Sequence, residues 1–315
     1  MNKRWLWVVV GLLFLLAIGP FLIPVPALKG LVDARTLTDA DSKFVNIKGV
    51  DIHYKDIGSG DNVFVLLHGF GASTFSWREV MPELAKVGRV IAFDRPSFGL
   101  TARPTSWGKF NPYDPQSQVE LTIGLMDALG INKATLVGHS AGGVVALNTA
   151  LSYPNRVSRL VLVDAAVYES GALASWLLPV LNVPQIDHLG PLLARSLQSG
   201  GDDFLRSTWH DPSKITQAIY DGYHKPFKIK DWDKALWNLT RSNYSLQPEN
   251  RLKELTIPVL VVSGDDDRIV QTKNSIKLSD GIPGAKFEVI KNAGHIPFEE
   301  QPAEFMRVLM GWLNI

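Results

Sequence analysis

Six short apolar runs constrain this chain more than any other feature: residues 63–67, 90–93, 134–137, 160–163, 259–262 and 287–290. They are rich in Val, Leu and Ile and do not alternate with polar residues, so as strands they must be buried on both faces. Helical patterns separate them. Residues 116–129 place Val119, Leu121, Ile123, Leu125 and Met126 at near-helical spacing and stop at Gly130. Doubly buried strands joined by helices predict an α/β fold with a mostly parallel sheet. Residues 44–48 and 50–55, around Gly49, predict a hairpin that opens it.

Residues 165–251 interrupt this alternation, with no comparable strand and with helical patterns over 171–181, 190–197 and 215–223. A gap that long between sheet strands predicts an inserted helical subdomain rather than a loop. Its aromatics, among them Trp176, Trp209, Trp232 and Trp237, could line a pocket, although most are expected to form the subdomain's own core. The expected division is 1–28 as an N-terminal membrane segment or signal, 29–43 as a linker, 44–164 and 252–315 as the two parts of the sheet domain, and 165–251 as the insertion.

The N-terminal segment carries Lys3 and Arg4, then no charge until Lys29. At ~1.5 Å per residue the run from residue 5 to 23 covers roughly 28 Å as a helix, close to the ~30 Å hydrocarbon core. An uncleaved single-pass anchor is the expectation. A cleaved signal ending at Val25-Pro26-Ala27 is the rival, which the prolines at 20, 24 and 26 disfavour. Lys3 and Arg4 favour a cytoplasmic N-terminus and hence a non-cytoplasmic domain; Lys29 and Arg35 weaken that bias. A cleaved signal would leave a secreted or periplasmic protein instead.

Composition removes several function classes. The chain of 315 residues has 32 Lys and Arg against 31 Asp and Glu, a net charge of +1, so it has no sequence-wide basic footprint for nucleic acid. It has no cysteine, which excludes disulfides, thiolate metal sites and cysteine nucleophiles. Neither an HExxH nor a P-loop pattern occurs, and no metal or cofactor is expected.

The chemistry-bearing motif follows the 134–137 run: Gly138-His139-Ser140-Ala141-Gly142-Gly143, leading into an apolar helix pattern from Val144. A GxSxG at a strand-to-helix turn strains the serine backbone and holds its hydroxyl clear, with the Ala141 N–H aimed where an oxyanion would form. Ser140 is thus the candidate nucleophile. A serine needs a base. Of seven histidines, His295, in Asn292-Ala293-Gly294-His295 directly after the last strand, is the one placed for it. His53, His139, His188, His210 and His224 are expected in surface or core roles. The imidazole needs a carboxylate, and Ser263-Gly264-Asp265-Asp266-Asp267 follows the 259–262 strand. Asp267 is the chosen acid, Asp265 and Asp266 are expected in the turn or in solvent, and Asp164 is the main competitor.

On these motifs, together with His68-Gly69-Phe70-Gly71, residues 43–315 resemble the α/β-hydrolase superfamily. The resemblance implies a second oxyanion donor at the Phe70 N–H, a structural His68, and a helical cap in the insertion. One departure is Ser97 in Asp94-Arg95-Pro96-Ser97-Phe98-Gly99, where many members have glycine. A serine nucleophile argues against epoxide hydrolysis and dehalogenation, which use aspartate there. The expected function is carboxylic-ester hydrolysis through an acyl-enzyme, on a small-molecule ester, with an apolar, lipid-like acyl ester as the favoured class. A C–C bond hydrolase or acyltransferase on the same triad is the alternative, and a catalytically silent receptor on the same fold is the rival from another class. A dinucleotide fold would need a third glycine where Thr74 stands in Gly69-Phe70-Gly71-Ala72-Ser73-Thr74. The sequence leaves the oligomeric state and the substrate open.

Overall fold

The structure is a computed structural model that describes residues 3–169, 177–242 and 244–315. Eight strands form one sheet: β1 (Lys43–Ile47), β2 (Val50–Gly58), β3 (Val63–Leu67), β4 (Arg89–Phe93), β5 (Ala134–His139), β6 (Val157–Val163), β7 (Val259–Gly264) and β8 (Lys286–Ile290), in the spatial order β1-β2-β4-β3-β5-β6-β7-β8. β1 and β2 are the expected hairpin, and β2 runs antiparallel to β4. All other neighbours are parallel. The carboxyl ends of β3 to β8 therefore share one edge of the sheet, and the loops that leave them meet there.

The apolar runs lack alternation because both sheet faces are covered. Val65 and Leu67 of β3 enter one core cluster and Phe64 and Leu66 the other; Leu160 and Leu162 of β6 divide from Val161 and Val163 in the same way. All eight side chains are at most 1% exposed, and burying each contributes ~1.5–3 kcal/mol.

The helices are α1 (Lys3–Leu22), α2 (Met81–Leu84), α3 (Pro115–Ala128), α4 (Ala141–Ser152), α5 (Leu178–Leu181), α6 (Pro184–Ser199), α7 (Gly201–Ser207), α8 (Gln217–His224), α9 (Trp232–Ser242), α10 (Thr272–Gly281), α11 (Pro297–Glu300) and α12 (Pro302–Leu313). Five of them, α5 to α9, lie between β6 and β7. The expected helix over 171–181 lies mostly outside the described residues, as does Trp176; its described end is the single turn α5. The pattern over 190–197 belongs to the longer α6, which runs through Pro191, and the one over 215–223 starts later, where the Thr216 side chain caps α8. The stretch 29–43 is not a free linker. The Val32 N–H donates to the Lys228 carbonyl at 2.9 Å and the Lys230 N–H to the Val32 carbonyl at 3.0 Å, which ties it to the insertion.

Candidate active site

Each candidate residue follows the carboxyl end of a parallel strand: Phe70 after β3, Asp94 and Ser97 after β4, Ser140 after β5, Asp164 after β6, Asp267 after β7 and His295 after β8. The turn at Ser140 is sharp. Ser140 has φ 51° and ψ −123°, a conformation costing ~1–3 kcal/mol for a residue with a side chain. The close approach of α4 to the sheet requires glycine at 142, because an added Cβ would lie 2.3 Å from the Leu67 carbonyl oxygen and 2.4 Å from that of His68. The α4 N-terminus therefore abuts the end of β3, where its positive dipole end favours negative charge. Neither the Ala141 nor the Phe70 N–H has a hydrogen-bond acceptor among the described residues.

His295 is held on every side. Its Nδ1 lies 2.8 Å from Asp267 Oδ2, its backbone N–H donates to the Thr208 carbonyl at 2.7 Å, and its carbonyl accepts from His139 Nε2 at 2.8 Å. Burial holds His139 neutral, well below the usual histidine range, helped by the nearby His295; its one N–H is then the one on Nε2. Gly264 lets the two loops meet, since a Cβ there would come within 2.0 Å of the Gly294 carbonyl oxygen. Asp267 is fully engaged: Oδ1 accepts from the Ile269 N–H at 2.8 Å and the Val270 N–H at 2.9 Å, while Oδ2 faces His295.

Asp164, the competing acid, does not bond His295. Its Oδ1 accepts from Ser263 Oγ at 2.6 Å. Burial, and then the charge of Asp267, push its pKa well above the usual carboxylate range, which favours its protonated form. One atom each from Asp164, Asp267 and His295 lie within 4.8 Å of one another, the spacing of a metal site. Asp267 spends both oxygens on two backbone N–H groups and the imidazole, which makes the trio a hydrogen-bonded chain rather than an open ligand set.

Ser140 and His295 line one cavity of about 360 Å³ together with Phe70, Ser97, Arg103 and residues of the insertion. No hydrogen bond joins their side chains among the described residues; such bonds tighten when a substrate fills the site. Asp266 instead pairs with Arg268 and with His210 at 3.0 Å, and Asp265 receives the Ala293 N–H at 3.3 Å. His53 is buried at 2.6 Å from Asp94. His68 is buried with Nε2 accepting from the Arg95 N–H at 3.0 Å, and burial drives its pKa down to about 3. His188 Nε2 lies 2.9 Å from the Ile23 carbonyl just past α1, whereas His139 and His224 line the cavity. Sequence reasoning missed His139 and Thr208 as supports of His295; the variable position of a GxSxG carries no signal of such a contact.

An Asp-His pair, a nearby serine at a strained turn and two unpartnered N–H groups can together perform nucleophilic acyl transfer. The model of the alpha/beta hydrolase fold matches residues 62–302. The chain is 31% identical over 259 residues to an uncharacterized hydrolase, YugF, of Bacillus subtilis, covering 81% of this chain and 92% of the relative. It is 32% identical to a 2-hydroxy-6-oxo-6-phenylhexa-2,4-dienoate hydrolase of Burkholderia cepacia, over 86% of this chain and 96% of the relative. Among solved structures, a meta-cleavage product hydrolase from Pseudomonas fluorescens superposes with a TM-score of 0.68 at 28% identity, covering 86% and 97% of the two chains.

Proposed function

Because the chain belongs to the α/β-hydrolase family and is a hydrolase, we propose that Ser140 is its nucleophile, His295 its general base and acid, and Asp267 the group that orients His295. The observation that carries this is the His295–Asp267 contact beside Ser140 in one cavity. In the first step Ser140 Oγ attacks a carbonyl carbon and its proton passes to His295 Nε2. The N–H groups of Phe70 and Ala141 receive the oxyanion. As the acyl-enzyme forms, the bond to the leaving group breaks and His295 returns the proton to that group. Water, deprotonated by His295, then releases the acid and restores Ser140.

The same steps cleave an ester or the C–C bond of a ketone whose leaving carbon can carry the electron pair as an enolate. The curated relatives favour the second reading, since several are named as hydrolases of 2-hydroxy-6-oxo acids. We therefore infer that an oxo acid cleaved at the C–C bond beside its ketone is the better-supported substrate. The mostly apolar lining, including Phe204, Phe227, Trp232 and Leu236, keeps ester hydrolysis as the second reading. Turnover of 2-hydroxy-6-oxo-6-phenylhexa-2,4-dienoate and of p-nitrophenyl butyrate by the purified protein separates them. The first is expected to have the higher kcat/KM by at least about tenfold, a difference of ~1.4 kcal/mol in the barrier. Faster ester cleavage reverses the ranking.

We also propose that α1 is a single-pass membrane anchor with the hydrolase domain on the non-cytoplasmic side. None of its 20 residues is buried, an 18-residue window of it has a mean hydropathy of 2.4, and a helix of 20 residues reaches about 30 Å. Near its carboxyl end it touches α6, where Gln185 Nε2 donates to the Ala17 carbonyl at 3.1 Å. The full-length protein is expected to stay with membranes through alkaline carbonate washing, and its domain to be digested by protease added to spheroplasts. A mature chain that begins at Leu28 in N-terminal sequencing would show a removed signal instead.

A further inference from the structure

The cavity lining holds two charged groups that the acyl-transfer steps leave idle, Asp202, which pairs with His224, and Arg103. Arg103, in the loop after β4, is only 8% exposed. Its Nη2 donates to the Gly99 carbonyl at 2.9 Å and to the Pro226 carbonyl, across in the insertion, at 3.3 Å. Among the described residues its Nε and Nη1 have no partner, which leaves three of the five guanidinium N–H donors unused there. The acids in its neighbourhood are committed elsewhere. Asp94 serves His53 at 2.6 Å and the N–H groups of Thr74 and Leu100, each at 2.7 Å, and Asp231 pairs with Lys234 at 2.8 Å. Burial lowers the Arg103 pKa to about 10, so the side chain is still a cation at neutral pH. Asp94 and Asp231 act on this cation only through space; a buried guanidinium with no carboxylate bonded to it among the described residues is costly, and this one lines the same cavity as Ser140.

Ser97 adds an independent sign. It stands at φ 81°, in the left-handed region that favours glycine, and its buried Oγ has no partner among the described residues either. It lines the same cavity. A side chain kept at a strained position, with a buried hydroxyl that none of the described residues satisfies, suits a ligand contact.

We propose that Arg103 and Ser97 form a carboxylate subsite, so that the substrate attacked by Ser140 carries its own carboxylate into this cavity. The inference rests on the cavity's being the substrate site, and it fixes a feature of the substrate that the Ser140 chemistry leaves open. A single guanidinium in a largely apolar pocket suits a singly charged, planar carboxylate better than a phosphate dianion.

The test uses binding rather than turnover. In the full-length Ser140→Ala protein, calorimetric affinity is measured for hexanoate and for its neutral counterpart hexanamide. Hexanoate is expected to bind at least ~10-fold more tightly, as charge-assisted hydrogen bonds to an arginine would provide. Adding Arg103→Met is expected to abolish that preference, while Arg103→Lys keeps part of it. Equal affinities in the Ser140→Ala protein, or a preference that persists in the Arg103→Met variant, would overturn the subsite. The lysine variant answers the question if the methionine variant does not fold, because an undiminished preference there removes any role for the guanidinium fork. A wild-type protein that turned over none of the substrates offered would count against the Ser140 chemistry and leave these affinities readable.

Discussion

Ser140→Ala is expected to lower kcat by about five orders of magnitude, and His295→Ala by nearly as much, with the double variant little worse than either single one. The non-additivity follows from the proposed chemistry, since the hydroxyl is a poor nucleophile without the imidazole and the imidazole has nothing to activate without the hydroxyl. Folding should be spared. Ser140 Oγ makes no hydrogen bond among the described residues that its removal would break, and Ser140 already carries a strained backbone at φ 51° that alanine would inherit. Steady-state kinetics on any turned-over substrate, with thermal unfolding as a control, reads both effects. A Ser140→Ala protein that kept most of its activity at an unchanged Tm would rule out Ser140 as the nucleophile.

The second large effect separates two acids that sit side by side. Asp267→Asn keeps the shape of the side chain but turns a charged acceptor into an amide beside His295 Nδ1, which favours the wrong imidazole tautomer and removes the charge that stabilises an imidazolium. A loss of ~10⁴ in kcat is expected, by analogy with other Ser-His-Asp sites. Asp164→Asn should cost less than about tenfold, because burial and the neighbouring Asp267 favour the protonated form of Asp164 and an amide reproduces a protonated carboxyl closely. The same measurement on both variants decides the matter. A larger loss at Asp164 than at Asp267 would transfer the orienting role to β6.

The two acids also show where the sequence is silent. Both follow a buried apolar run by a residue or a few, so strand patterning places both at the same edge and cannot rank them; the contact of Asp267 with His295 depends on how tightly the β7 and β8 loops meet at Gly264. The strands themselves were legible because burial on both faces writes itself into every position of a run. The insertion was less so. Residues 201–207 (α7) are too short to show a repeating pattern, whereas 232–242 (α9) do carry one outside the stretches expected to be helical, with Trp232, Ala235, Leu236 and Leu239 at i, i+3, i+4 and i+7 on a helix that buries even Asp233, through Arg195 at 2.6 Å. Arg103 looks like any surface cation in the sequence. Only its unpartnered nitrogens, at 8% exposure, set it apart, and an unsatisfied donor is a property of packing that no local pattern encodes.

The central claim is that Ser140 is activated by His295 for attack on a carbonyl, and covalent capture tests it without any knowledge of the substrate. The folded protein is treated with a fluorophosphonate, digested and mapped by mass spectrometry. The account predicts a phosphonyl adduct on Ser140 that vanishes in Ser140→Ala and forms far more slowly in His295→Ala. An unmodified Ser140 under conditions that label a control serine hydrolase, or an adduct on a different residue, would contradict it.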